Sequence, residues 1–464
     1  MEYKEVQILR KIKMDKDTVI TKELIQKLIK NHSVERSRIL KMKRYYNNEN
    51  ETITKRVYKD INKPTNRLKH GYASYITDNY VGYMLGKPIN YKSDNEDLLE
   101  KLNDSFVYND EVDNNTTLAQ EQSICGYAYE LLYRDEDANA RFKYVDTEDM
   151  IVVYDNTLEE KELFAIRYII NDNYTDDKGK GICYVYTKDN EEAYILENNE
   201  LGERIYSEPN YFDDVPVCTY ENNRQRLGDF EKHISLIDAY DQANSDTAND
   251  FEYFTNALLV ISGMLIDDKD EEGNPVNFKE NRVLNFADAQ AKAEYLIKNI
   301  NDTALENYKE RLNADIMRFS HVMDMTDEKF SGDLSGIAMK YKMQSMEHVT
   351  SIKESKFKKG LMKRIELLTS FLSIKTNSLY TYTEVTPVFT RNIPANDVET
   401  ATMIKDLWGI LSEETLMSLP SFVENVQAEI ERKKKEQEEQ LEAMNNIYSG
   451  DDLSDEDKEE VLNE

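Results

Sequence analysis

The chain has 464 residues, enough for about three domains of ordinary size or one elongated, elaborated subunit, which excludes a single small module. Its 90 Asp and Glu outnumber 59 Lys and Arg, giving a formal charge of −31, so long-range attraction to phosphate or anionic lipid is disfavoured. Apolar residues at 40%, with 31 Tyr and 15 Phe, exclude wholesale disorder.

The first 60 residues read as polar helices. Leu24, Ile25, Leu28 and Ile29 form one short stripe, Ile39, Leu40 and Met42 another, and the segment taken alone reads as a solvated arm. A stronger helix is predicted after Pro64, with Leu68, Tyr72, Tyr75, Ile76 and Tyr83 on one face and its end at Gly86 and Pro88. From Tyr127 to Tyr220 short runs rich in Tyr, Val and Ile alternate with polar turns: Tyr127 to Tyr133, Ile151 to Tyr154, Leu163 to Ile170 and Ile182 to Thr187. This spacing is too close for βαβ crossovers. It predicts an α+β region with antiparallel strands and argues against a doubly wound dinucleotide fold.

Helical spacing returns near Asp229. Ile237, Tyr240, Asn244, Thr247, Phe251, Phe254 and Leu258 define one seam, and Leu305, Tyr308, Leu312, Ile316, Phe319 and Met323 a second. Such narrow stripes suit helices packed between similar helices. Between the seams lies an excursion with the turn Asp267 to Pro275. A loop with two Ser-Gly pairs, Met325 to Gly336, precedes a long helix from about Ile337.

That helix reverses the sign of the whole chain, with 8 basic and 2 acidic residues from Lys340 to Arg364. Lys342, Lys353, Lys356, Lys359, Lys363 and Arg364 fall on one broad face, and Phe357, Leu361, Leu368 and Leu372 on another. The basic face reads either as a solvated or intersubunit surface or as a local, sequence-independent DNA contact. A strand signal from Ser378 to Thr390 follows. After it come a helix carrying Met403, Leu407 and Leu411, an interruption at Pro420, a polar helix from Ser421 to Tyr448 and an acidic tail from Asp451 to Glu464 that reads as disordered.

No catalytic or cofactor motif emerges. Gly82 to Pro88 has three residues between its glycines where a phosphate loop has four, and Pro88 replaces the magnesium-binding hydroxyl. Asp268 to Gly273 begins like a calcium loop, yet Pro275 interrupts it and Lys279 stands where a bidentate glutamate is needed. His32, His70, His233, His321 and His348 form no metal or nucleophile constellation. Cys125, Cys183 and Cys218 lie far apart and read as reduced, buried thiols. The Met1 end lacks a secretory signal, and the longest oily segment, Leu258 to Ile266, is short of the roughly 20 apolar residues of a membrane span, so no membrane association is expected.

The order of these segments resembles the portal proteins of tailed bacteriophages, of the siphovirus head-to-tail type. The resemblance rests on His70 to Asp78 with Gly86 to Pro88, Tyr129 to Tyr133, Val153 to Asn156, Gly228 to Glu231 with Leu236 to Asp238, Ser245 to Asn249, and above all Phe330 to Gly332 with Ser335, Gly336 and Ala338 to Tyr341. It implies a mainly helical α+β subunit with an α/β wing, a two-helix stem, a small α/β clip, a long tunnel helix and a helical crown. The implied boundaries are 1–230 for the wing with an N-terminal arm, 231–259 and 303–323 for the stem, 260–302 for the clip and 324–336 for the tunnel loop. The tunnel helix would span 337–374, return strands 375–393, the crown 394–448 and the tail 449–464.

The implied role is a homo-oligomeric ring of about twelve copies at one capsid vertex, the channel for double-stranded DNA in packaging and ejection. It needs no cofactor, metal or catalysis. Implied partners are the terminase packaging motor, head-completion and connector proteins, and the major capsid and scaffolding proteins. The tunnel loop would comprise Asp324, Met325, Thr326, Asp327, Glu328, Lys329, Phe330, Ser331, Gly332, Ser335 and Gly336, with Lys329, Lys340 and Lys342 as sparse basic rings in a bore otherwise acidic. Asp267, Asp268, Asp270, Glu271 and Glu272 of the clip would face the motor or connector. The alternative is a minor capsid or head scaffold protein without a channel; a nucleic-acid enzyme is the remaining reading.

Overall fold

The computed structural model describes residues 11–57, 64–170, 180–197, 200–255, 258–262, 292–296, 302–324, 336–392, 397–420, 423 and 426–449. In chain order, β1 (Ile12–Met14) leads into α1 (Lys22–Tyr46), the short α2 (Glu51–Thr54) and α3 (Tyr72–Leu85), which stops before Gly86 as expected. β2 (Asn90–Lys92) precedes α4 (Glu96–Tyr108) and α5 (Glu111–Cys125). The strands β3 (Tyr127–Arg134), β4 (Ala140–Val145), β5 (Met150–Asp155) and β6 (Glu162–Ile170) follow. Next are β7 (Lys180–Thr187), β8 (Asn190–Glu197), β9 (Glu200–Pro209) and β10 (Val217–Glu221). The chain continues with α6 (Ile234–Thr255), β11 (Leu258–Ser262), β12 (Lys292–Leu296), α7 (Asp302–Ser320) and α8 (Gly336–Thr376). β13 (Thr386–Val388), α9 (Asp397–Leu407), α10 (Glu413–Met417) and α11 (Val426–Ser449) complete it. The architecture is mixed α+β.

Two units are distinguished: residues 1–36, 78–228 and 323–464 form the first, residues 37–77 and 229–322 the second. In the first, a six-stranded sheet has the order β1-β5-β6-β7-β8-β9. Alternation along its strands sends Ile151, Val153, Phe164, Ile166, Cys183 and Val185 into one core, which Ile25, Leu28 and Ile29 of α1 cover. The sequence reading of residues 1–60 as a solvated arm is thus corrected over α1, because the short stripe of Ile25, Leu28 and Ile29 has a sheet to cover that local sequence does not report. The expected antiparallel pairing holds from β5 to β9, but β1 joins β5 in parallel, Ile12 opposite Val153. A three-residue strand is too short to show an alternation.

A second core of the same unit lies between α8 and the three-stranded sheet β10-β3-β4. Phe357, Leu361 and Leu368 are buried here against Cys218 and Tyr220, as the apolar face of the helix predicts. Gly360 permits the close approach: a Cβ there would sit 2.5 Å from the Tyr220 ring. The expected strand from Ser378 to Thr390 shrinks to β13, paired with β2. The segment Gly82 to Pro88 is not a phosphate loop, since Gly82 lies inside α3.

In the second unit, the predicted α6 seam is incomplete. Of its members Ile237 and Thr247 are buried but Phe251 is exposed, and the buried face also takes in Asp241 and Ser245. The face differs because polar groups on neighbouring segments need partners: Asp241 accepts from the His70 backbone N–H at 2.9 Å and from Asn50 Nδ2, and pairs with His70 Nδ1 at 2.8 Å. Ser245 Oγ accepts from the Leu68 N–H at 2.9 Å. In α7, Leu312 and Ile316 are buried as predicted, while Tyr308 and Phe319 are half exposed. The expected seams therefore captured only part of each buried face.

Candidate functional site: the long helix beside the loop

Helix α8 has 41 residues, a length of about 60 Å at 1.5 Å per residue. Of the predicted tunnel loop, its first residue Asp324 is described, and its last, Gly336, begins the helix. Met325, Thr326, Asp327, Glu328, Lys329, Phe330, Ser331, Gly332 and Ser335 lie outside the described residues. So do Asp267, Asp268, Asp270, Glu271 and Glu272, together with the acidic tail. Lys340 and Lys342 fall in the first two turns of α8, with the Lys342 side chain half-buried.

The broad basic face does not act as one surface. Arg364 is fully buried and forms a two-pronged pair with Glu130 of β3, Nε to Oε2 at 2.8 Å and NH2 to Oε1 at 2.7 Å. Its NH1 reaches Glu111 Oε1 at 3.3 Å and its NH2 donates to Asn115 Oδ1 at 2.8 Å. Uncharged donors complete the cluster: Tyr220 OH to Glu130 at 2.8 Å, Asn114 Nδ2 to Glu130 at 2.6 Å and Tyr91 OH to Glu111 at 2.5 Å. Burial opposes the Arg364 charge, but Glu130 overcomes it and holds the guanidinium pKa well above its usual value. Burial likewise pushes the Tyr91 and Tyr220 hydroxyls well above their ordinary range.

Two other basic residues of the face have intramolecular uses too. Lys363 pairs with Asp214 and, at 3.2 Å, with Glu366. Lys353 is buried with its Nζ 4.7 Å from the centre of the Tyr80 ring. Lys359 remains exposed. The sequence reading of a single solvated, intersubunit or DNA-facing stripe is therefore corrected at Lys353 and Arg364, whose acidic and aromatic partners belong to the same unit.

Nearer the loop, the helix is held from outside. Arg391, just beyond β13, forks onto Glu347 at 2.8 and 2.9 Å and reaches Glu354 at 2.6 Å. Tyr83 of α3 donates to Glu347 at 2.7 Å. Hydrogen bonds from Arg391 draw the Glu347 carboxyl down to about 2, while burial and Glu347 push the Tyr83 hydroxyl up to about 12. Sequence reasoning missed both anchors. Glu130 gave a usable signal, a lone carboxylate within the strand run Tyr127 to Tyr133 that demands a buried cation; Arg391 gave none.

This arrangement is suited to fixing a helix in position, not to activating a nucleophile. The Cys218 thiol is pushed well above its ordinary pKa and the Cys183 thiol up to about 12, both by burial, which leaves them unreactive. Among the described residues no group of three His, Cys, Asp or Glu side chains gathers to hold a metal ion, and no helix is long and apolar enough to cross a membrane.

Comparison with known proteins identifies the class. The family described as phage portal protein, SPP1 Gp6-like, matches residues 25–443. The portal protein of Clostridium phage phiCD119 is 25% identical over 432 residues, spanning 87% of this chain and 94% of its own. That of Bacillus phage SPP1 is 26% identical over 472 residues, spanning 94% of this chain and 90% of its own. A chain from the neck of an empty GTA particle covers 75% of this chain and 90% of its own, at 10% identity and a TM-score of 0.45. The chain belongs to the SPP1 Gp6-like family of phage portal proteins, and its place is the portal vertex of the capsid.

Proposed function

We propose that the subunit closes into a ring of about twelve copies and lines a channel through which double-stranded DNA enters and leaves the capsid, without catalysing a reaction. The family match from residue 25 to 443 carries this reading. Residues 324–336 serve as the tunnel loop and α8 as the helix behind it. The clip acids Asp267, Asp268, Asp270, Glu271 and Glu272 meet the packaging motor and later the connector proteins. Capsid and scaffolding proteins surround the assembled ring.

Charge supports transport over adhesion. Each copy contributes a formal −31, a field that keeps phosphates off the walls, whereas a uniformly basic bore would retain them through counterion release. The burial of Arg364 and Lys353 removes two cations from the surface available to DNA. Lys329, Lys340 and Lys342, beside or within the loop, then centre the duplex as sparse positive rings. Electron microscopy of the purified protein is expected to show gear-shaped rings with a central hole. Substituting the three lysines with glutamate is expected to shorten packaged DNA while rings still form; full-length packaging in that variant removes their role, and a protein that stays monomeric removes the channel itself.

A further inference from the structure

A cavity of ≈ 210 Å³ lies beneath α1, within the unit formed by residues 1–36, 78–228 and 323–464. No step of the portal reading uses it. Its apolar wall includes Met14, Leu24 and Leu28. The exposed residues Lys27 and Asn31 mark its mouth on α1.

Its polar wall is more specific. His32 is 6% exposed and uses Nδ1 on the Tyr168 hydroxyl at 2.8 Å, leaving Nε2 without a hydrogen-bond partner among the described residues. Tyr129 is 3% exposed, and its hydroxyl also meets no partner there. Two polar groups borne on almost wholly buried side chains thus line one cavity, and a ligand that displaces water there must replace its hydrogen bonds. Burial draws the His32 pKa down to about 4, so the imidazole is neutral near pH 7. Either tautomer then offers a donor or an acceptor at Nε2.

Charge selects against an ionic ligand. Glu35 and Arg226 both line the cavity with opposite sign and have protein partners: Glu35 accepts from the Tyr127 hydroxyl at 2.9 Å, and Arg226 donates to Glu221 and Tyr154 at 3.1 Å each. Neither requires a counter-ion. An apolar cavity of about 150 Å³ accommodates a benzene ring, so the volume here suits one ring bearing a small polar tip. We propose that this cavity is a binding site for a single neutral aromatic ring carrying one hydroxyl or N–H group, of the phenol class, with its tip between Tyr129 and His32 and its body against Leu24 and Leu28.

The test uses the full-length assembled protein and saturation-transfer NMR titrations with p-cresol, toluene and N-acetyl-tyrosine amide. Saturable p-cresol binding, about tenfold tighter than toluene, is expected from one buried polar contact. Tyr129→Phe should weaken p-cresol by about tenfold and leave toluene unchanged, whereas Leu24→Trp, which fills the body of the cavity, should abolish both. Binding of N-acetyl-tyrosine amide as tightly as p-cresol assigns the site to a tyrosine side chain on a peptide; its exclusion assigns the site to free phenols, and both support the proposal. Equal affinity for toluene and p-cresol, binding undiminished in ring-forming Leu24→Trp, or no saturable binding of any probe would overturn it, the last leaving water as the occupant.

Discussion

Over its C-terminal half α8 contributes Phe357, Leu361, Arg364 and Leu368 to the core, all fully buried. Over its N-terminal half it shows Tyr341 at 73% exposure and Ile352 at 59%; it buries Met346, Thr350 and Lys353, and Arg391 on a separate segment forks onto its Glu347. A single helix is thus fastened by different means at its two ends. One end is set by packing and a fully buried ionic cluster, which hold only one geometry; the other by fewer buried side chains and a fork on the partly exposed Glu347, a pair that opens at lower cost. Local opening follows buried contacts and exposed bonds in this way, so the half adjoining residues 324–336 is the one expected to move.

The strongest blow to that contrast is aimed at the buried end. Arg364→Met leaves Glu130 and Glu111 facing each other without a cation, and breaking a buried pair from one side costs about 3–5 kcal/mol. Urea unfolding at fixed subunit concentration should show a loss of that size, because association also contributes to apparent stability. Adding Glu130→Met should restore part of it, since the orphaned charge goes too. A loss below about 1 kcal/mol, typical of exposed pairs, would mean that the cluster is not an anchor.

A smaller effect sharpens the packing side of the comparison. In an unpacked helix, glycine to alanine gains about 1 kcal/mol. At Gly360 the added Cβ lies 2.5 Å from the Tyr220 ring, and that ring is tethered by its hydroxyl to Glu130. Gly360→Ala should therefore reverse sign and cost about 1–3 kcal/mol, as overpacking does, in the same urea measurement. A gain would show that Tyr220 yields and that close helix–sheet contact is not fixed.

Much of this was legible beforehand. The apolar face of α8 shows a helical period, so Phe357, Leu361 and Leu368 were identified from spacing alone, whereas the Tyr-, Val- and Ile-rich runs marked β5, β6 and β7 as strands without telling which of their residues are buried. The fate of charged residues was not legible, because it depends on partners distant in the chain: Arg364 lies 234 residues from Glu130. The α6 seam was incomplete for a related reason: Ile237 and Thr247 are buried as expected, but Asp241 and Ser245 are buried too, by hydrogen bonds from residues 50–70 that no apolar pattern reports. Of the candidate site, the sequence located the long helix that begins at Gly336, and missed Arg391, which occupies a short irregular segment without periodicity.

The remaining prediction concerns the accessible end. Arg391→Gln removes the fork on Glu347, whose side chain is partly exposed at 36%, so screening by solvent limits the loss to about 1 kcal/mol. Hydrogen exchange locates it better than global unfolding does. Protection of residues 342–354 should fall about fivefold, the equivalent of 1 kcal/mol, while residues 357–371 keep theirs. Acid supplies an independent check. The Glu347 carboxyl is held down to about 2 from an ordinary 4.5, so the stabilisation it contributes is present above pH 4.5 and disappears as pH falls from there through 2. In the wild type, exchange corrected for intrinsic rates should accelerate in the same N-terminal segment over that window, and in Arg391→Gln the acid-induced change should be largely absent. Equal acceleration along the whole helix, or an acid response untouched by the substitution, would show that the two ends of α8 are a single cooperative unit and that the fork fastens neither of them separately.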